Sequence, residues 1–308
     1  NTPHFKPFCM RGWIKTTAKL IISLALIGYL INKIGLEQLL GSIAGFNLIY
    51  LLPAVFVIIV NSIFGALNIQ LLLLALGERL PFKRTLRYYL KSWAYGLFMP
   101  SKIGEFSLMV FLKRDGVSYT RGFLISLIDK LLTFVVLFGF ATFGIVHLFG
   151  LKIFGIILLS VLALACMAGF FALTNRGSAI LKRYLFRGFA SKIAFILKDT
   201  NTLFLKRANY LFLNLIITAV KWTLVFVMLK FIFWGLGENV ALLYIMTALA
   251  LGTLASLIPI SISGLGVLEN LSVKILCYYN VAELTAGSGL LLLTTIKYLL
   301  ALLIFLLV

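Results

Sequence analysis

The chain has 308 residues, 62% of them hydrophobic and only 12% charged, with a mean hydropathy of +1.10 and a formal net charge of +19. A soluble domain is about 45–50% apolar and about 25% charged, so this chain cannot cover a water-soluble globule, and it is too apolar to be disordered. Composition makes it a polytopic membrane protein, and the positive charge then reads as a loop-orientation signal and a contact with anionic lipid headgroups, with no nucleic-acid partner expected.

A membrane-spanning helix needs about 20 apolar residues. Residues 13–34 are the first candidate, with a polar first turn. Lys15 and Lys19 before the apolar stretch resemble the start of a signal peptide, but no small-residue cleavage site follows, so a retained helix is expected. Residues 48–76 form the second span. Residues 88–112 are apolar but broken by Pro100, Ser101, Lys102, Gly104 and Glu105. Residues 122–146 and 151–173 are the third and fourth spans, and 210–236 is the fifth. Residues 242–279 are broken by Pro259, Ser261, Ser263, Gly264, Gly266 and Glu269, and 285–308 is the sixth span. Proline and glycine stop helices, and each break places an acid at mid-membrane depth. Each broken region is either a kinked span or a re-entrant hairpin of two short arms.

The basic residues decide between these readings. Twenty of the 28 Lys and Arg fall in four clusters, at 1–19, 77–91, 113–121 and 175–207. A full span at 88–112 would put the eight charges of 175–207 outside, against the positive-inside rule. A hairpin that enters and leaves on the cytoplasmic side keeps all four clusters inside. The expected fold is therefore all-α, with about six full spans and two re-entrant hairpins, and with both termini cytoplasmic. The second hairpin is less constrained, since 242–257 is nearly long enough to cross. Residues 1–308 form one membrane domain. Within it, 48–148 and 208–308 have the same order of span, broken region and span, but start from opposite faces, which is an inverted repeat. The letters echo this: Pro100 with Gly104-Glu105, then Asp115-Gly116-Val117; Pro259 with Gly264, Gly266 and Glu269, then Asn280-Val281. The loop 175–207 carries Leu181, Tyr184, Leu185, Phe186, Phe189, Ile193 and Phe195 at roughly helical spacing, as an interfacial amphipathic helix does.

The candidate site residues are the charges and breakers held inside the membrane. A charge at bilayer centre costs about 2.5–3.5 kcal/mol on insertion scales. Glu105, Asp129, Lys130, Glu269 and Lys297 are therefore expected to be paired, Glu105 with Lys130 and Glu269 with Lys297. Asp129 and Lys130, as sequence neighbours, are expected to point apart, leaving Lys102 as a partner for Asp129. Returning arms start new helices near Glu105 and Val267, where free N–H groups, Gly104, Gly264 and Gly266, and the hydroxyls of Ser101, Ser261 and Ser263 suit a phosphate. No G-x-S-x-G, P-loop or H-E-x-x-H motif occurs. Cys9, Cys166 and Cys277 are scattered, and His4 and His147 are far from each other, so neither a metal nor a cofactor is expected.

At the two breaks the sequence resembles the flippase-like family related to the transmembrane region of lysylphosphatidylglycerol synthases. The resembling residues are Pro100-Ser101-Lys102-Ile103-Gly104-Glu105, Gly116-Val117-Ser118 before a span with Asp129-Lys130, Pro259-Ile260-Ser261, and Gly264-Leu265-Gly266-Val267-Leu268-Glu269. Lys102 stands where the family often has Arg, Ile262-Ser263 where Pro-Gly is common, and Asp129-Lys130 where Glu-Arg is usual. These changes keep the charge and lose the Arg fork. The resemblance implies a translocator that moves a polar- or phosphate-headgroup lipid between leaflets of a prokaryotic cytoplasmic membrane. The synthases add a soluble aminoacyl-transfer domain that these residues lack, so transport is expected before lipid synthesis. The alternative is a membrane enzyme or scaffold partner in lipid or polyprenyl-glycan synthesis that docks a soluble synthase on the basic loop.

Overall fold

The structure, a computed structural model, describes residues 8–99, 103–174 and 190–307. Its elements are helical: α1 (Phe8–Ile34), α2 (Leu36–Ala44), α3 (Leu51–Ala75), α4 (Phe82–Phe98), α5 (Leu108–Lys113), α6 (Tyr119–Leu173), α7 (Ala190–Asn201), α8 (Ala208–Gly235), α9 (Leu242–Ser256), α10 (Val267–Tyr278) and α11 (Glu283–Leu307). Short 3₁₀ turns precede α3 (Leu48–Tyr50) and α5 (Ile103–Ser107), and a π turn, Thr202–Lys206, precedes α8. This is the all-α polytopic membrane fold. Among the described residues, five helices are long and apolar enough to cross a membrane: α1, α3 with its 3₁₀ turn, α6, α8 and α11. α6 breaks at Gly150 (φ 80°, ψ 164°), a backbone conformation that essentially only glycine adopts. Each of its two arms exceeds the ~20 residues needed to cross, which matches the third and fourth sequence spans.

The helix ends recur. α3 and α8 both end in Leu-Gly-Glu: Gly77 and Gly237 adopt φ 79° and 83°, and the next N–H, of Glu78 or Glu238, reaches back to Leu73 O or Phe233 O at 2.9 Å in each case. α5 and α10 end alike as well. Gly116 (φ 90°) precedes Val117 N–H to Leu112 O at 3.3 Å, and Asn280 (φ 62°) precedes Val281 N–H to Leu276 O at 3.1 Å. Such left-handed caps satisfy the carbonyls that a helix end leaves over.

The chain divides into two compact units. Unit 1 holds residues 1–55, 93–105 and 226–308. In it α9 packs on α10, α10 on α11, and α1 on α2, α10 and α11. α9 and α10 form a hairpin: the rings of Tyr244 and Tyr279 stack at 4.3 Å, and Ser272 Oγ donates to Ala248 O at 2.9 Å. The end of α1 meets the start of α11 through the Lys33–Glu283 ion pair. Likewise Asn47, before α3, donates its N–H to Gly235 O at the end of α8, at 2.9 Å.

Unit 2 holds residues 56–92 and 106–225. Its core joins the end of α3 (Ile69, Leu72, Leu73, Leu76) to α5 (Leu108, Leu112), the start of α6 (Leu124, Ile125, Ile128) and Leu203 and Leu211 near the start of α8. Hydrocarbon solvates leucine as well as a protein core does, so membrane helices associate through small-residue packing and hydrogen bonds. Gly122 illustrates this: a Cβ there would lie 2.7 Å from the Met109 backbone, so only glycine lets α6 approach α5 this closely. Much of the surface is apolar, as a lipid-facing surface can be; on the second arm of α6, Leu151 is 74% exposed and Leu159 68%.

Candidate functional site

In unit 1 the polar centre is the turn between α9 and α10. α10 starts at Val267, as the breakers predict. Gly264 (φ 79°) and Gly266 (φ 83°) form the turn, with Ser263 also at positive φ (52°). Glu269 is buried. Its Oε2 accepts the Gly266 N–H at 2.6 Å, and its Oε1 accepts the Thr294 hydroxyl of α11 at 2.6 Å. The acid therefore caps its own helix start, the position favoured by the helix dipole. Thr294 and a backbone amide thus both meet this carboxylate. The cap is local: the third residue of a helix reaches its own N-terminal N–H without crossing to another element.

The turn is fastened to α1. Ile262 N–H donates to Ser23 Oγ at 2.8 Å, and Asn270 Nδ2 donates to Leu26 O at 2.9 Å and to Gly266 O at 2.8 Å. A Cβ on Gly266 would lie 2.5 Å from Leu26 Cβ, so this close seat needs glycine twice over, for room and for φ. The Oγ atoms of Ser261 and Ser263 are buried and have no hydrogen-bond partner among the described residues. Such groups are rare and costly unless something completes them. At the first turn, Ser101 and Lys102 lie outside the described residues. Glu105 packs its side chain against Gly96, and Gly104 lies against the Tyr95 carbonyl.

In unit 2 the polar centre lies about ten residues into α6, roughly 15 Å deep at 1.5 Å per residue. Asp129 is buried, and its Oδ2 accepts from Lys130 Nζ at 3.2 Å. The neighbours were expected to point apart, but the long, flexible lysine chain bends back across the helix surface. Asp129 Oδ1 is buried with no hydrogen-bond partner among the described residues. Lys221 of α8 is buried with its ammonium over the Tyr89 ring, 5.7 Å from the centroid. A turn further along the same face of α8, Thr218 and Asn214 hold Asn68 of α3: Asn68 Nδ2 donates to Thr218 Oγ1 at 2.8 Å, and Asn214 Nδ2 to Asn68 O at 3.0 Å. Sequence reasoning left Asn68, Asn214 and Thr218 unmentioned. Their signal was available: three amides and hydroxyls within otherwise apolar spans.

Unit 2 also holds a charged cluster at helix ends. Arg121 donates to Glu78 at 2.6 Å and to Asp199 of α7 at 2.9 Å, with its guanidinium 5.3 Å from the Phe195 ring. Asp115 accepts from Arg84 and from the Tyr88 hydroxyl. Burial and the Asp115 carboxylate push the Tyr88 phenol above its ordinary range. The described part of the basic loop is thus docked on protein as well as amphipathic; of its expected apolar face, Leu181, Tyr184, Leu185, Phe186 and Phe189 lie outside the described residues.

Residues 16–304 match the family described as the lysylphosphatidylglycerol synthase TM region. The chain belongs to that family. The match covers both polar centres and all five span-length helices almost completely. A comparison with curated proteins finds no match. Among the described residues of this family member, no three His, Cys, Asp or Glu side chains gather as a metal site requires.

Proposed function

We propose that this member of the lysylphosphatidylglycerol synthase TM region family translocates a lipid with a polar, phosphate-bearing headgroup between the leaflets of a prokaryotic cytoplasmic membrane. One observation carries the reading: each unit keeps a buried carboxylate in its apolar helices, Glu269 at the turn of one hairpin and Asp129 beside Lys130 in α6. Charges at that depth are costly and mark pathways for polar cargo. Unit 1 would offer a headgroup Gly104, Glu105, Gly264, Gly266, Glu269 and Lys297, with hydroxyls from Ser101, Ser261 and Ser263 and a cation from Lys102; unit 2, by itself, would offer Asp129 and Lys130. The unpartnered Ser261 and Ser263 hydroxyls support this as donors awaiting an acceptor. Both hairpins re-enter the membrane, the first from the cytoplasm and the second from outside, within an inverted repeat of 48–148 and 208–308. The matched helix ends of α3 with α8 and of α5 with α10 support that repeat.

The test is leaflet-resolved transport of a fluorescent phospholipid in proteoliposomes. Glu105→Gln and Glu269→Gln should each lower the rate at least tenfold, and unchanged transport in both would overturn the site. The family description favours a second reading, a membrane partner of a headgroup synthase. Copurification of a soluble synthase with a chain that moves no lipid would select it.

A further inference from the structure

Unit 1 contains a cavity of about 450 Å³ beside Glu269. Its walls include Leu24 of α1, Phe98 at the end of α4, Leu265 in the second hairpin turn, and a face of α11 from Leu291 to Leu302. Leu24 and Leu302 are also more than half exposed, so the cavity opens sideways between two span-length helices, where the surroundings would be hydrocarbon. The lining is apolar except for one turn of α11, at Thr294, Thr295 and Tyr298. Thr294 donates to Glu269, and the Tyr298 hydroxyl donates to Leu97 O at 3.2 Å. The Thr295 hydroxyl makes no hydrogen bond to the described residues.

The lining and the opening select the occupant. Apolar walls that open sideways between two span-length helices suit a hydrocarbon chain, and about 450 Å³ gives such a chain room to lie along the groove. We infer that this cavity seats a single chain of the transported lipid, with the hydrogen-bond-accepting linkage at the end of that chain placed on the Thr295 hydroxyl. The inference rests on the translocator reading and adds where its cargo sits. Chain seating is also felt at the headgroup site. Leu265, in the wall, lies between the two positive-φ glycines of the turn, and Thr294, also in the wall, holds the Glu269 carboxylate.

The experiment uses the full chain in proteoliposomes containing a phospholipid with a diazirine at the end of one acyl chain. Irradiation followed by peptide mass spectrometry should place adducts on Leu24, Leu291 and Leu302. Thr295→Trp, which fills the cavity, should lower both adduct yield and transport at least tenfold, while Leu164→Trp, on the exposed surface of α6, should change neither. Leu302→Trp at the open lip serves if Thr295→Trp does not fold. Absent adducts, crosslinks from the cavity to a second copy of the chain, or filled-cavity variants that transport like the wild type would each overturn the chain site and leave translocation standing. A wild-type protein that moves no lipid overturns the translocator reading itself.

Discussion

At the scale of single residues, Glu269 separates structure from charge. Its two oxygens complete two donors, a backbone amide and a hydroxyl. Removing an acceptor from buried donors costs about 1–3 kcal/mol each when they stay unsatisfied. Glu269→Ala should therefore lower the thermal stability of the purified protein by about 1–3 kcal/mol, since the Gly266 N–H is buried and Thr294 can turn elsewhere. Glu269→Gln should stay within about 1 kcal/mol, because the amide oxygen can take the Gly266 N–H and the amide nitrogen can donate to a hydroxyl that also accepts. Equal losses in the two variants, measured by thermal unfolding in detergent, would refute the capping role. A stable but transport-dead Gln variant would assign the charge itself to the cargo.

At the scale of elements, the spans and breaks were legible and the partners were not. Apolar runs longer than the bilayer is thick mark spans regardless of what they touch, and Pro-Gly clusters mark breaks through local sterics. That is why the start of α10 at Val267 and the break at Gly150 between two runs agree with the sequence. Thr294, Ser23 and Asp199 were invisible because each meets its partner across 25 residues or more, and nothing local encodes such a meeting. Asp199 shows the consequence. The basic stretch read as a lipid-surface helix, yet α7 is held to α6 by Arg121, which also holds Glu78. Hydrogen bonds to charged groups contribute about 1.5–3 kcal/mol, so Arg121→Ala should free α7 and raise amide exchange across residues 194–206 severalfold. Arg121→Lys should recover only part of the protection, since one ammonium cannot bridge two carboxylates with the guanidinium's geometry. Unchanged exchange in Arg121→Ala would show that apolar packing of Leu197 and Leu203 alone docks the helix.

At the scale of the whole molecule, the proposed topology places particular helix ends on the same side of the membrane. Glu78 just follows α3 and Arg121 lies in the first turn of α6, and their ion pair at 2.6 Å brings those ends together. Arg84 likewise meets Asp115, and both contacts are what the proposed re-entrant hairpin would require of residues 79–118. A full crossing by this segment would separate the same groups by the bilayer's ~30 Å core. On the proposed topology the basic residues flanking the segment would put that face on the cytoplasmic side. Single cysteines in a background with Cys9, Cys166 and Cys277 replaced by serine can measure this with a membrane-impermeant maleimide. From outside, Leu36→Cys, Lys152→Cys and Glu238→Cys should label, whereas Lys83→Cys, Lys113→Cys and Lys206→Cys should label only after permeabilisation. If all six sites exchange sides, the orientation is reversed and the hairpin stands. If Lys83→Cys and Lys113→Cys fall on opposite sides, residues 79–118 cross the membrane. The proposed cytoplasmic collar then loses its eight-charge segment, and the proposed inverted repeat is lost with it.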